Sequence, residues 1–299
     1  MLRPFIGSDA IGDGTLTRGQ LRWNHSAVHP GVYLPNGVER TLTVNAVAAW
    51  LWTGRRGIIA GRAAAALHGA KWVDDSTPIE VIVEHTRPRT GIIVREERIA
   101  ADEITHIGEL PVTTLARTAL DLGRHLKRDA SVAHLDALAA ATGVSADDAM
   151  ALAARYRGAR GIRRAAIALA LMDAGAQSPK ETWLRLLLID DGLPAPRTQV
   201  RVTDGVRTAF IDMGYHEPKV GLDYEGAHHS ENRGQYVHDI GRAELIDRQG
   251  WDDLRVVAEH SRAFILQRVR NAFALRGWTP PTPSPVASLA SMPRSARRS

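Results

Sequence analysis

The segment Lys219-Val220-Gly221-Leu222-Asp223-Tyr224-Glu225 reads as one β-strand with two unlike faces. A period of two puts Val220, Leu222 and Tyr224 on one side and Lys219, Gly221, Asp223 and Glu225 on the other. The first set needs a core to cover it. The second sets two carboxylates side by side, which repel unless a cation lies between them. The preceding segment, Thr208-Ala209-Phe210-Ile211-Asp212-Met213, adds an acid among apolar neighbours, although aspartate is a poor strand former. If the two strands pair, Asp212 approaches Asp223, and their oxygens suit an octahedral Mg²⁺ or Mn²⁺. Such an ion holds a scissile phosphate and activates water for in-line attack. The plainer alternative is a solvated acidic strand face paired with arginines.

Working outward, Ser178-Pro179-Lys180-Glu181 has the residues that open a helix, which runs to about Asp191 and stops at Gly192. Strands are predicted at Thr198–Thr203, Arg207–Met213 and Lys219–Glu225, with Asp204-Gly205 as the turn between the first two. A helix from about Asn232 to Arg248, a strand over Leu254–Ala258 and a helix over Ser261–Leu275 complete an α-β-β-β-α-β-α order. Upstream, Leu126 to Ala176 is rich in alanine at helical spacing and reads as a connector. Residues 1 to about 123 mix short helices with β-branched runs at Ile79–Val83 and Ile92–Arg95. The expected fold class is therefore α/β (α+β overall). Its parts are an α+β region over 1–123, a helical connector over 124–176, an α/β domain over 177–278 and a Pro/Ser-rich disordered tail over 279–299.

Composition sets the outer bounds. The chain has 299 residues, 44% hydrophobic and 24% charged, an ordinary globular balance. The absence of cysteine excludes disulfides and thiolate metal sites and fits a reducing cytoplasm. The longest apolar run, Ala165 to Met172, is far short of the roughly 18 residues a membrane helix needs. The first residues lack the apolar core of a secretion signal, so the chain is expected to be soluble and cytoplasmic. Net charge is +5, but Arg294, Arg297 and Arg298 of the tail supply three of those charges. Arginine makes up 34 of the 38 basic residues, and its planar fork suits phosphate.

The ordered set Glu181, Asp212, Asp223-Tyr224-Glu225-Gly226, His228-His229, Asp239-Ile240-Gly241-Arg242, Gly250-Trp251 and Leu254-Arg255-Val256 resembles the PD-(D/E)XK nuclease superfamily. Within it, the set looks like the branch related to very-short-patch-repair endonucleases, and the resemblance covers roughly 178–276. The resemblance implies a restriction-endonuclease-like αβββαβ core with a mixed sheet. It further implies Asp212 and Asp223 as metal ligands, Mg²⁺ or Mn²⁺ as cofactor, Glu225 as a further acid and Glu181 as a helix-borne ligand or orienter. Three positions depart from the pattern. Ile211 replaces proline before the first acid, Asp223 stands where glutamate is commoner, and Glu225 takes the place of the usual lysine. Loss of that lysine leaves the water-activating group open. His228 and His229 are nearer in sequence than Lys219, and His229 is the candidate general base. Arg242 is a candidate phosphate contact, although with Asp239 it also has the spacing of an i,i+3 ion pair. Glu181, three residues after Ser178, is explained equally by a capping box. Trp251 reads as a core or edge aromatic.

The N-terminal zone resembles the AbiEi-type antitoxin family. The likeness rests on Leu16-Thr17-Arg18, Gly31-Val32-Tyr33, Ala63 to Gly69, Leu110-Pro111-Val112-Thr113 and Ala116-Arg117-Thr118-Ala119-Leu120-Asp121. It implies a small winged-helix-like head, DNA as partner and a cognate toxin protein. Arg3, Arg18, Arg22, Arg40, Arg55 and Arg56 outnumber the acids there, and Arg18 and Arg22 are the candidate DNA contacts. Two patterns fail. Gly14 to Gln20 mimics a phosphate loop but has Gln20 where lysine is required. His25 and His29 lack a third zinc ligand. Two functions follow as expectations: a Mg²⁺-dependent DNA endonuclease, or a non-catalytic DNA-binding antitoxin or transcriptional regulator on a nuclease-like scaffold. Oligomeric state, substrate sequence and strand preference are left open.

Overall fold

Short breakers and caps divide the N-terminal residues into small elements. Phe5–Ile6 (β1) leads into helix Gly7–Gly12 (α1), a turn, and helix Arg18–Asn24 (α2). A hairpin of His25–His29 (β2) and Val32–Pro35 (β3) follows, turning through Pro30 and Gly31. The computed structural model describes residues 3–226 and 233–281 and separates two units, Met1–Leu169 and Ala170–Ser299. In the first unit, β1, β3 and β2 form an antiparallel sheet in that order. A strand, two helices across a turn and a hairpin give the winged-helix-like arrangement. Helix Leu42–Trp52 (α3) covers this small sheet, packing Ala48 and Leu51 against Val32.

The rest of the first unit is a five-stranded mixed sheet with helices. Its strands are Ile58–Ala60 (β4), Ile79–Ile82 (β5), Ile92–Arg95 (β6), Ile104–Ile107 (β7) and Leu110–Thr113 (β8), ordered β6-β5-β4-β8-β7. Gly61–Leu67 (α4) packs its alanines on this sheet, with Ile59, Val81 and Val112 fully buried beneath. Leu115–His125 (α5), Arg128–Thr142 (α6), Ala146–Ala153 (α7) and Ile162–Ala170 (α8) complete the helices. The alanine-rich stretch expected as a connector lies mostly in this unit. Helices α6 and α7 pack directly on α5, so the stretch contributes to the unit's own core.

Under α5 lies a buried ionic network. Arg117 has no solvent exposure; its Nε bonds both oxygens of Asp121 at 3.0 Å, and its Nη1 bonds Glu103 at 2.6 Å and the Tyr156 hydroxyl at 3.0 Å. Arg124 joins Glu97 at 2.7 Å and Asp121 at 3.3 Å. Such a network stands only because every charge is matched; deleting one partner leaves its opposites unpaired away from water.

The second unit realises the order read from sequence. Pro179–Asp190 (α9) precedes Arg197–Thr203 (β9), Thr208–Tyr215 (β10) and Val220–Glu225 (β11). Arg233–Arg248 (α10), Asp252–Val257 (β12) and Arg262–Leu275 (α11) follow. The sheet order is β12-β11-β10-β9, antiparallel from β9 to β11 and parallel between β11 and β12. Val220 and Leu222 enter a core shared with Leu184 and Leu188 of α9 and Val269 and Phe273 of α11. Tyr224 packs against its rim, so the apolar face of β11 is the one the alternation specified. Helix α10 covers the other face through Leu245 and Ile246, against Val200, Ile211 and Trp251. The chain is thus α/β, with helices on mixed sheets. The tail beyond 281 lies outside the described residues. No helix among those described is long and apolar enough to cross a membrane.

Replacing Arg117 by leucine strands Asp121, Glu103 and Glu97. The expected loss is about 3–5 kcal/mol, with Arg117→Lys recovering only part because one ammonium cannot meet three carboxylates in a fixed plane. Urea denaturation followed by tryptophan fluorescence measures it; an unchanged midpoint would show that the network carries no stability.

Candidate functional site

The ladder between β10 and β11 pairs Met213 with Leu222 and stops there. At the next positions side chains take over from the backbone. The Asp212 N–H donates to Asp223 Oδ1 at 2.8 Å, and the Tyr224 N–H donates to Asp212 Oδ2 at 2.8 Å. Each carboxylate thus satisfies an amide of the opposite strand. Gly221 makes room beside them, since a Cβ there would stand 2.9 Å from the Ile211 side chain. Gln199, opposite this point on β9, adopts a positive φ of 46°. Beyond it the facing of β10 changes: Ala209 and Ile211 lie under α10, whereas Met213 and Tyr215 enter the core of α9 and α11.

The acids gathered here share one guanidinium. Arg242 Nη2, from α10, donates to Asp223 Oδ2 and to the Phe210 carbonyl, and its Nη1 lies 3.8 Å from Asp253 Oδ2. Asp253 comes from β12, where Gly221 of β11 is its register partner. Asp223 is 7% exposed, and Asp253 Oδ1 is buried without a hydrogen-bond partner. Burial pushes the Asp212 carboxyl up to about 7 against the lowering bond from Tyr224, with the charges of Glu181 and Asp223 adding to the rise. Burial first, then the Asp223 charge, raises Asp253 as well.

The structure brings some of the sequence candidates together. Asp212 and Asp223 meet on adjacent strands as expected. Glu181 is buried on the first turn of α9, where Ser178 accepts its N–H at 3.2 Å. Its Oε1 accepts the Ser178 hydroxyl at 2.9 Å and its Oε2 the Gln177 N–H at 2.8 Å, so it closes the helix cap. Burial raises its carboxyl, and the Asp223 charge pushes the same way. Glu225 stands apart at the exposed end of β11, paired with Arg255 at 2.9 Å. Lys219 is at the other end, its Nζ bonded to the Gln249 carbonyl at 2.8 Å, so it does not replace the lysine that Glu225 displaces. Arg242, expected as a phosphate contact, turns inward. His228 and His229 lie outside the described residues. Sequence reading missed Asp253, because the last strand was predicted to begin at Leu254 and it begins at Asp252.

A divalent ion requires open oxygens, and the set read from the sequence offers few. Of the six carboxylate oxygens of Glu181, Asp212 and Asp223, five accept hydrogen bonds, and one of the five faces a guanidinium. Among the described residues, the group of three ligand-type side chains with atoms within 4.8 Å of one another is Glu97, Asp121 and His125, in the other unit. There Arg117 and Arg124 already occupy the carboxylates. The Asp212–Asp223 set, as built, does not fit a metal ion.

In the first unit, α2 presents Arg18 and Arg22 one turn apart and exposed, with Trp23 beside them at 74% exposure. Leu21 anchors the opposite face. The Gln20 that spoiled a phosphate loop completes a capping box: the Gln20 N–H donates to Thr17 Oγ1 at 3.2 Å, and the Thr17 N–H donates to Gln20 Oε1 at 2.8 Å. Asn36 ties the helix to the hairpin, donating to the Trp23 carbonyl at 3.0 Å and accepting from the Ser26 hydroxyl at 2.7 Å. His25 and His29 both lie on β2. His25 Nδ1 is 3.2 Å from the Gln20 carbonyl, while His29 is buried beside Trp52, and burial, then Arg40 and Arg89, lower its pKa to about 4.

A pH test follows from the raised Asp212. Its carboxyl titrates near 4 when unfolded, so between about 4 and 7 the folded chain binds the extra proton and stability falls as pH rises through that window. Asp212→Asn keeps the acceptor for Tyr224 but removes the titration. The variant should therefore gain on the wild type from pH 5 to pH 8 in urea midpoint; a difference constant with pH would refute the assignment.

No curated protein matches the chain. Residues 55–171, a span that holds the five-stranded sheet and helices α4 to α8, match the family described as AbiEi antitoxin C-terminal domain.

Proposed function

We propose that the chain is a DNA-binding regulator of the antitoxin type, acting with a cognate toxin protein. The observation that carries this reading is the match of residues 55–171 to an antitoxin domain, with a winged-helix-like head directly before it. Helix α2 is the element of the head suited to enter a major groove, because its outward face is basic and its inward face is held by Leu21 and Asn36. Arg18 and Arg22 serve as phosphate or base-edge contacts, and the β2–β3 hairpin serves as the wing. In this reading the five-stranded sheet with α4–α8 is the part that works with the toxin.

The second reading, a Mg²⁺-dependent endonuclease built on Asp212 and Asp223 with Glu181, Glu225 and His229, draws on the αβββαβ order and on the meeting of those two acids. It is the weaker one, because the guanidinium of Arg242 stands against Asp223 and the usual lysine is Glu225.

Fluorescence anisotropy on duplex DNA from the region upstream of the coding sequence separates them. The double variant Arg18→Ala/Arg22→Ala is expected to bind at least about tenfold more weakly, with a log–log salt slope shallower by about one to two. Binding indifferent to salt and to both arginines would end the regulator reading. Cleavage of DNA with Mg²⁺ or Mn²⁺ that disappears in Asp212→Asn/Asp223→Asn would establish the enzyme instead.

A further inference from the structure

The carboxylate cluster of the second unit holds more acid than its surroundings neutralise. Asp212, Asp223 and Asp253 come from three adjacent strands, β10, β11 and β12. The side chain of Asp223 is 10% exposed and that of Asp253 12%. One cation reaches them from the α10 side, and it belongs to the chain. Arg242 is fixed from two directions, since the nitrogen that bonds Asp223 also donates to the Phe210 carbonyl, and the other terminal nitrogen turns to Asp253. A guanidinium held by a backbone carbonyl and two carboxylates has a defined place. That place is where an ion shared by Asp223 and Asp253 would sit. Asp253 Oδ1, buried without a hydrogen-bond partner, is an acceptor that the one guanidinium leaves unmet.

We infer that Arg242 is the resident cation of this cluster, so that the native chain binds no divalent ion there, and that a divalent-metal site formed by Asp223 and Asp253 with Asp212 lies latent beneath it. The arginine performs structurally what a metal would otherwise do: it holds β11 and β12 together across their acids and pins α10 over them. A divalent ion carries twice the charge on a sphere and requires several oxygens at about 2.0–2.1 Å for Mg²⁺, whereas a guanidinium requires fewer oxygens, in one plane. Removing the guanidinium leaves the oxygens in position and the charge unmatched, which are the conditions for ion binding. This inference is independent of the DNA-binding reading, which concerns the other unit.

The test is a titration of the full chain with Mn²⁺, read by electron paramagnetic resonance as the loss of free-ion signal, with circular dichroism to confirm folding. The wild type is expected to show no saturable binding through the low millimolar range. Arg242→Gln, which removes the charge but keeps a polar side chain at the position, should bind one Mn²⁺ per chain at least tenfold more tightly. Arg242→Gln/Asp223→Asn should lose that binding, and Arg242→Lys should not acquire it. A wild type that binds one Mn²⁺ in an Asp223-dependent manner overturns the inference, as does a folded Arg242→Gln that binds none. If the glutamine variant does not fold, refolding on addition of Mn²⁺ supports the latent site, and failure of Mn²⁺ to restore the fold counts against it.

Discussion

A carboxylate taken out of water must find a positive partner or stay protonated, and this constraint organises both units. In the first, Arg117 is fully enclosed and serves Asp121, Glu103 and Glu97 at once. In the second, Arg242 faces Asp223 and Asp253 where β10 and β11 part. The composition makes the solution intelligible: with only four lysines in the chain, the cation available in bulk is the planar, always-charged one with five donors. A lysine at position 117 could not bond the two oxygens of Asp121 and also reach Glu103 in a fixed geometry.

Neutralisation by arginine bears directly on function. The resemblance drawn from the sequence implies Asp212 and Asp223 as metal ligands, and the strands do bring the two acids together. The hydrogen bonds then change their meaning. The reciprocal bonds from the Asp212 and Tyr224 amides make the two acids part of the sheet's backbone pairing, and Glu181 is spent on the cap of its own helix. Residues that look alike as letters differ in which of their oxygens remain available.

Much of the second unit was legible because its signals are local. Alternation in Val220–Glu225 and the Ser178-Pro179 helix start depend on neighbours a few residues apart. Less of the first unit was legible, because its strands run two to five residues and are fixed by partners far along the chain, as where Ile59 of β4 pairs with Val112 of β8. The motif Ala116 to Asp121 was visible, but that its arginine is buried was not, since nothing local marks Glu103 and Tyr156 as its partners. Asp253 escaped for a related reason: aspartate is a poor strand former, and only the parallel pairing with β11 makes Asp252 and Asp253 part of a strand. Inward or outward orientation of Arg242 likewise depends on how a helix lies over a sheet, which spacing cannot tell.

The parallel neighbour relation of β11 and β12 has a consequence for how the chain acquires its structure. Antiparallel β9, β10 and β11 can zip through tight turns, but β12 joins only after the chain has crossed over through α10. Arg242 rides on that crossover and Asp253 on the strand beyond it. Both acids of the β10–β11 pair therefore precede in the chain the arginine that faces them. The matching of charge in this sheet is thus completed only across the crossover, by residues distant in the chain from the acids they meet.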